Sequence, residues 1–180
     1  KNTHTAEKFI YTKPIINSIS PNRITFLKEL TIKGKNFHPK KNYTEFIIDN
    51  KKVNPVIYTT SKLTYFIPAD LSTLNPEIQL ISTGFSYDLT DSVDFPPPKI
   101  TEISPDRGVP GDTVIIKGDY FNPKTDFNTV LFNDNEAIIL RSSNTSLKVI
   151  VPFNMQSGSI IPVTIRVCDA TSNKYYFEVI

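Results

Sequence analysis

A shift of 84 residues lays the second half of this chain over the first, without a gap, across more than fifty positions. Pro14, Ile16, Ile19, Pro21 and Arg23 meet Pro98, Ile100, Ile103, Pro105 and Arg107. In the same register Leu30, Ile32, Gly34 and Phe37 meet Val114, Ile116, Gly118 and Phe121, and Pro39, Leu63, Ile67 and Pro68 meet Pro123, Leu147, Val151 and Pro152. Chance does not hold a register that long. Two units of this size are too few and too large for a solenoid, whose short repeats share one continuous core, so each copy is expected to own its interior.

Within a copy the apolar period is two. Ile16/Ile19, Leu30/Ile32, Phe46/Ile48 and Leu63/Tyr65/Ile67 mark strands bounded by Pro, Asn, Asp and Gly. The second copy repeats them at Ile100/Ile103, Val114/Ile116, Val130/Phe132 and Leu147/Val149/Val151, and adds Val163/Ile165/Val167. Tyr175/Phe177/Val179 alternate with Tyr176/Glu178/Ile180, so both faces of the last strand are expected to be partly covered. Six or seven short strands per copy, with no helical stripe, predict an all-β protein of two tandem immunoglobulin-like sandwiches. Pro21 and Pro105 remove a donor where the first strand leaves its sheet. Gly34 and Gly118 close the second strand, which calls for a left-handed backbone or a close approach. Phe37 and Phe121, three residues on, are expected to fold back as plugs.

The organisation follows: a polar tail or tether over 1–13, a first domain over 14–97 and a second over 98–180. The join Phe95-Pro96-Pro97-Pro98 favours a stiff polyproline segment, and its third proline already begins the second copy. An elongated arrangement is predicted, each domain adding about 35–40 Å along its strands.

Composition limits the chemistry. One cysteine, Cys168, excludes an internal disulfide, and its alternating strand makes it a small space-filling hydrophobe. Two histidines, His4 and His38, have no HxH or HxxxH partner, so no metal and no cofactor is predicted. Nucleophile-elbow, phosphate-loop and dinucleotide motifs are lacking, and no catalytic residue is assigned. Asp88, Asp91 and Asp94 stand three apart beside a strand, a calcium-like spacing for which a solvated loop is the default reading. No apolar run approaches bilayer length.

The pattern P-x-I-x-x-I-x-P, then an I-x-G-x-x-F block, then a strand run closed by V/I-P, resembles the IPT/TIG domains, immunoglobulin-like folds of plexins and transcription factors. The second copy carries it best, with Pro98, Ile100, Ile103, Pro105, Gly108, Gly111, Val114, Ile116, Gly118 and Phe121. The first departs where Ile24 and Leu27 replace the two glycines, so that turn is expected to be built differently. The resemblance implies cell-surface receptors, bacterial glycan-uptake lipoproteins, accessory domains of secreted polysaccharide enzymes, or Rel-type transcription factors. A Trp-free, nearly Cys-free chain rich in Lys, Asn, Ile and Thr points to the bacterial surface among these.

The charge is uneven. Residues 1–62 hold 12 Lys/Arg against 4 Asp/Glu, whereas 98–180 hold 8 against 9. Lys33, Lys35, His38, Lys40, Lys41, Lys51 and Lys52 are the candidate recognition group for a polyanion, set against a solvated loop surface. Tyr43, Tyr58 and Tyr87 are candidate sugar platforms, set against cross-strand packing. The expectation is a non-catalytic extracellular interaction or spacer module, anchored through a segment outside this chain. Its partners are other surface proteins, further domains of the same polypeptide or a polysaccharide. Direct carbohydrate or protein binding through loops and exposed Tyr is the alternative. A Rel-like nucleic-acid binder needs an Arg-rich loop, and the chain has four Arg in all.

Overall fold

A computed structural model describes residues 12–180, so the proposed tail over 1–13 lies almost wholly outside the described residues. The first domain carries β1 (Ile15–Ser20), β2 (Glu29–Lys35), β3 (Thr44–Ile48), β4 (Lys51–Val53), β5 (Pro55–Tyr58), β6 (Lys62–Phe66), β7 (Ile78–Ser82) and β8 (Phe85–Asp88). They form two four-stranded sheets in the orders β1-β2-β6-β5 and β4-β3-β7-β8. The second domain carries β9 (Lys99–Ser104), β10 (Arg107–Gly108), β11 (Thr113–Asp119), β12 (Asn128–Phe132), β13 (Asn135–Glu136), β14 (Ile138–Ser142), β15 (Ser146–Ile150), β16 (Ile160–Val167), β17 (Ala170–Thr171) and β18 (Tyr175–Val179). Its sheets run β14-β15-β11-β9 and β10-β18-β16-β12-β13, with β17 hung on β16. Helix is limited, among the described residues, to single 3-10 turns such as Lys41–Tyr43 and Thr125–Phe127. No helix there is long and apolar enough to cross a membrane.

Alternation decides which side chains meet. On β2, Leu30 and Ile32 are fully buried while Lys33 and Lys35 point outward, and β11 repeats this with Val114 and Ile116. Phe46 stacks on Tyr65 at 4.3 Å, and Phe132 meets Phe177 edge-on at 5.3 Å. Each sandwich packs its own sheets, yet the two interiors run together as one contiguous apolar set. Separate interiors were the expectation; buried Leu71 lies where the two domains meet, beside Cys168 of the second. The last strand also departs from expectation. Phe177 and Val179 are buried while Tyr176 is 59% exposed, because a sheet in a two-layer sandwich has a partner on one face.

Both special glycines of the second strand are explained by close approach. A Cβ on Gly34 would overlap the Ile15 carbonyl oxygen, and one on Gly118 the Lys99 carbonyl oxygen. The buried rings of Phe37 and Phe121 fill the adjoining space. The turn before β2 corrects the sequence reading. Leu27, at φ 56°, keeps the left-handed backbone that Gly111 adopts at φ 92° in the second copy, so the geometry is conserved at the expense of strain. Leu27 is 44% exposed, and left-handed backbone costs a side-chain-bearing residue roughly 1–2 kcal/mol. Leu27→Gly should therefore raise stability by about 0.5–1 kcal/mol in urea unfolding; a loss would mean that its apolar contacts outweigh the strain.

Each domain is entered at one pole and left at the other. In the first, Ile15 pairs with Lys35 at the near pole. At the far pole Arg23 bridges in parallel to Asp94, and their side chains form an ion pair at 2.9 Å.

Candidate functional site

The basic group named from the sequence does not form one face. Lys33, Lys35, Lys40 and Lys41 are exposed around the near pole of the first domain. Lys51 and Lys52 lie past the opposite end of β3, where Lys51 pairs with Asp70 at 3.2 Å and Lys52 with Glu45. His38 is buried; its Nδ1 accepts the Lys40 backbone N–H at 2.9 Å, which pins the loop between β2 and β3. Tyr43 is 50% exposed and lies against the His38 ring at 4.2 Å.

The other two tyrosines are half-buried and taken into the frame. Tyr58 donates its hydroxyl to the His38 carbonyl and meets Thr44 Oγ1 at 2.9 Å, which in turn meets Ser82 Oγ at 2.9 Å. Tyr87 donates to the Pro14 carbonyl at 2.5 Å, and its burial pushes the phenol pKa up. The three aspartates are engaged one by one. Asp88 accepts the Thr90 N–H at 3.0 Å, which lowers its pKa, Asp94 pairs with Arg23, and Asp91 sits in a 3-10 turn. Among the described residues no group of three or more His, Cys, Asp or Glu could hold a metal ion.

The joint between domains carries a set of side-chain hydrogen bonds to which no sequence signal pointed. The segment 68–75, between β6 and β7, reaches across to the near pole of the second domain. Asn122, fully buried, donates from Nδ2 to the Ala69 carbonyl at 2.6 Å. The Asp169 carboxylate accepts the Thr73 hydroxyl at 2.6 Å and the Leu74 N–H at 2.9 Å. Cys168 donates its thiol to the Leu71 carbonyl at 3.1 Å, and Asn144 Nδ2 donates to the Phe26 carbonyl at 3.2 Å. From the other side Asp49 accepts the Ser72 N–H at 2.7 Å and its hydroxyl at 2.8 Å. The segment is thus held between two carboxylates, one from each domain. These hydrogen bonds keep both acids below the ordinary carboxylate value, Asp169 chiefly through Thr73 and Asp49 chiefly through the Ser72 N–H. Burial pushes the Cys168 thiol up to about 11, far from a reactive thiolate.

Asn122 is positioned by its own domain. Asn128 accepts the Asn122 N–H at 2.9 Å and returns a hydrogen bond to the Asn122 carbonyl at 2.8 Å. At the matching place the first domain uses His38, Thr44 and Tyr58. The repeated sandwich, with its glycine-backed Phe plug in each copy, agrees with the comparison by family: the IPT/TIG domain model matches residues 14–95 and again 98–179. The chain belongs to the IPT/TIG domain family. Solved structures similar to this chain include an auxiliary nutrient binding protein from Bacteroides thetaiotaomicron, 18% identical, covering 47% of this chain and 21% of its own, TM-score 0.43. Another is a surface glycan-binding protein from Prevotella bryantii, 14% identical over 92% of this chain and 42% of its own, TM-score 0.46. The plexin A4 extracellular region is 17% identical over 93% of this chain and 18% of its own, TM-score 0.46. The chain thus spans less than half of each of these proteins. No curated protein matches it at a significant level.

Proposed function

We propose that this IPT/TIG pair is a rigid, non-catalytic strut and contact module of a cell-surface protein, of the bacterial glycan-uptake lipoprotein type. The observation that carries the reading is the joint. A spacer has to transmit position, and a linker alone would leave the two domains free to swing. Here a buried Asn122–Ala69 hydrogen bond and the Asp169 clamp seat one pole on the other, and the prolines at 96–98 remove slack from the connecting chain. Stability without disulfides suits the setting, since Cys168 spends its thiol on a backbone carbonyl. The exposed lysines of the near pole and Tyr43 remain proposed contact residues for protein or polysaccharide partners.

Small-angle scattering of the chain tests the reading. A single extended conformer of about 70–80 Å is expected for two sandwiches end to end; a profile requiring a broad ensemble of hinge angles would discard it. Acid should loosen the joint. The folded pKa values of Asp169 and Asp49 lie below the ordinary 3.8, so their contribution is complete above that value and is lost as pH falls through the lower, folded one. Asp169→Ala should broaden the scattering at neutral pH while leaving each domain folded.

A further inference from the structure

The 84-residue register puts the same recess in both domains, between the two sheets at their open edge. In the first it is lined by Lys51, Lys52, Phe66 and Asp70, and in the second by Asn135, Glu136, Ile150 and Asn154. The fold therefore supplies the hollow, and what differs between copies is chemistry added to it. In the first copy Lys51 reaches Asp70 across the recess, and the place after the shared proline is Ala69, buried in the joint. In the second that place is Phe153, 70% exposed. Its ring edge would stand 3.0 Å from a Cβ on Gly111, so the bare backbone there seats one side of the ring and leaves the rest to solvent. Nothing in the sandwich requires an aromatic ring at this position, since its twin does without one.

The recess by Phe153, about 340 Å³, continues along the edge of the domain. It shares Glu136 and Ile138 with a second hollow of about 500 Å³. That one shares Asp126 and Thr129 with a third, where Phe127 and Arg166 line the wall beside the joint. Phe127 is 37% exposed. The result is a track with an aromatic ring toward each end, about as long as the five-residue β12, or roughly 17 Å. Between the rings stand Asp126, Asp134 and Glu136, with Asn135 and Asn154 beside Phe153. Apolar ring faces with a few carboxylate and amide groups between them suit a ligand that alternates C–H faces with hydroxyl groups. Three carboxylates against Arg166 disfavour a polyanion.

We propose that the β12–β14 edge of the second domain, from Phe153 to Phe127, is a binding track for a neutral polysaccharide chain. The proposal rests on the surface-module reading for its access to such polymers, but the two fail separately: a flexible joint defeats that reading, and an empty track defeats this one. The test is isothermal titration calorimetry of the whole chain with xyloglucan, hydroxyethylcellulose, arabinoxylan and galactomannan, alongside polygalacturonate and polylysine. Binding is expected to at least one neutral polymer, insensitive to salt, and absent for polygalacturonate. Phe153→Ala and Phe127→Ala should each weaken it about tenfold, the loss expected for one stacked ring. Both rings are solvent-facing, and an unchanged melting temperature confirms that the variants fold. Lys52→Ala, in the first domain's recess, should leave binding unchanged. No heat with any neutral polymer, equal affinity after Phe153→Ala, or binding confined to polylysine would each overturn the proposal.

Discussion

Gly118→Ala should unfold the second domain at markedly lower denaturant, with a loss of about 3 kcal/mol or more. The added methyl meets two neighbours, the Lys99 carbonyl oxygen and the Phe121 ring. A ring can shift, but the carbonyl belongs to β9, whose residues 99–104 are laddered to β11. β9 is the outer strand of its sheet, but Asn173 also grips the neighbouring Ile100 N–H at 2.8 Å and the Ile100 carbonyl at 3.0 Å. The Lys99 carbonyl therefore cannot withdraw without breaking these bonds or the strand pairing. The double variant Gly118→Ala with Phe121→Leu separates the two: little recovery is expected, because the carbonyl remains. Gly34→Ala should do the same to the first domain through the Ile15 carbonyl. Urea unfolding followed with domain-specific amide signals reads both. A change within about 0.5 kcal/mol for Gly118→Ala would contradict the packing described.

Asn122→Ala should cost about 2–3 kcal/mol and uncouple the domains, turning a joined unfolding transition into two. The side chain works in both directions. Its Nδ2 serves the Ala69 carbonyl across the joint, and its Oδ1 accepts the Lys124 N–H at 3.0 Å within its own loop. Truncation leaves the buried Ala69 carbonyl and the partly buried Lys124 N–H without their partners, and an unmade hydrogen bond at a buried carbonyl costs more than a made one contributes. Asn122→Asp provides the contrast. It keeps the acceptor and loses the donor, so the loop should hold while the joint loosens. Coincident transitions in Asn122→Ala, at unchanged midpoint, would show that the contact carries no coupling.

The repeat and its period of two made the sandwich legible, because strands buried on one face must alternate. β2, β3, β6, β11, β12, β15 and β16 fall where the alternation put them. β5 and β14 were not legible. They are edge strands whose apolar side chains stay outside, with Val56 50% and Ile138 57% exposed, so no alternation marks them. β7 carried a usable signal in Ile78, Leu80 and Ser82, all buried. Among the proposed contact residues, His38, Tyr58 and Tyr87 look like their exposed neighbours in a one-dimensional reading. Only folding shows that loop carbonyls take their polar atoms. Phe153 had a faint mark: the register keeps the proline before it and replaces Ala69 by Phe. The joint left none, since three of its acceptors, on Phe26, Ala69 and Leu71, are backbone carbonyls, which any residue supplies.

Entry at one pole and exit at the other has a mechanical meaning. A pull on the two ends of such a chain runs parallel to the strands, and the hydrogen bonds of a ladder lie across them. Rows of bonds between β1 and β2, and between β9 and β11, then bear the load together instead of opening one after another. A tethered protein in flowing or crowded surroundings would keep its outermost end at a set distance under tension that would peel a hairpin apart.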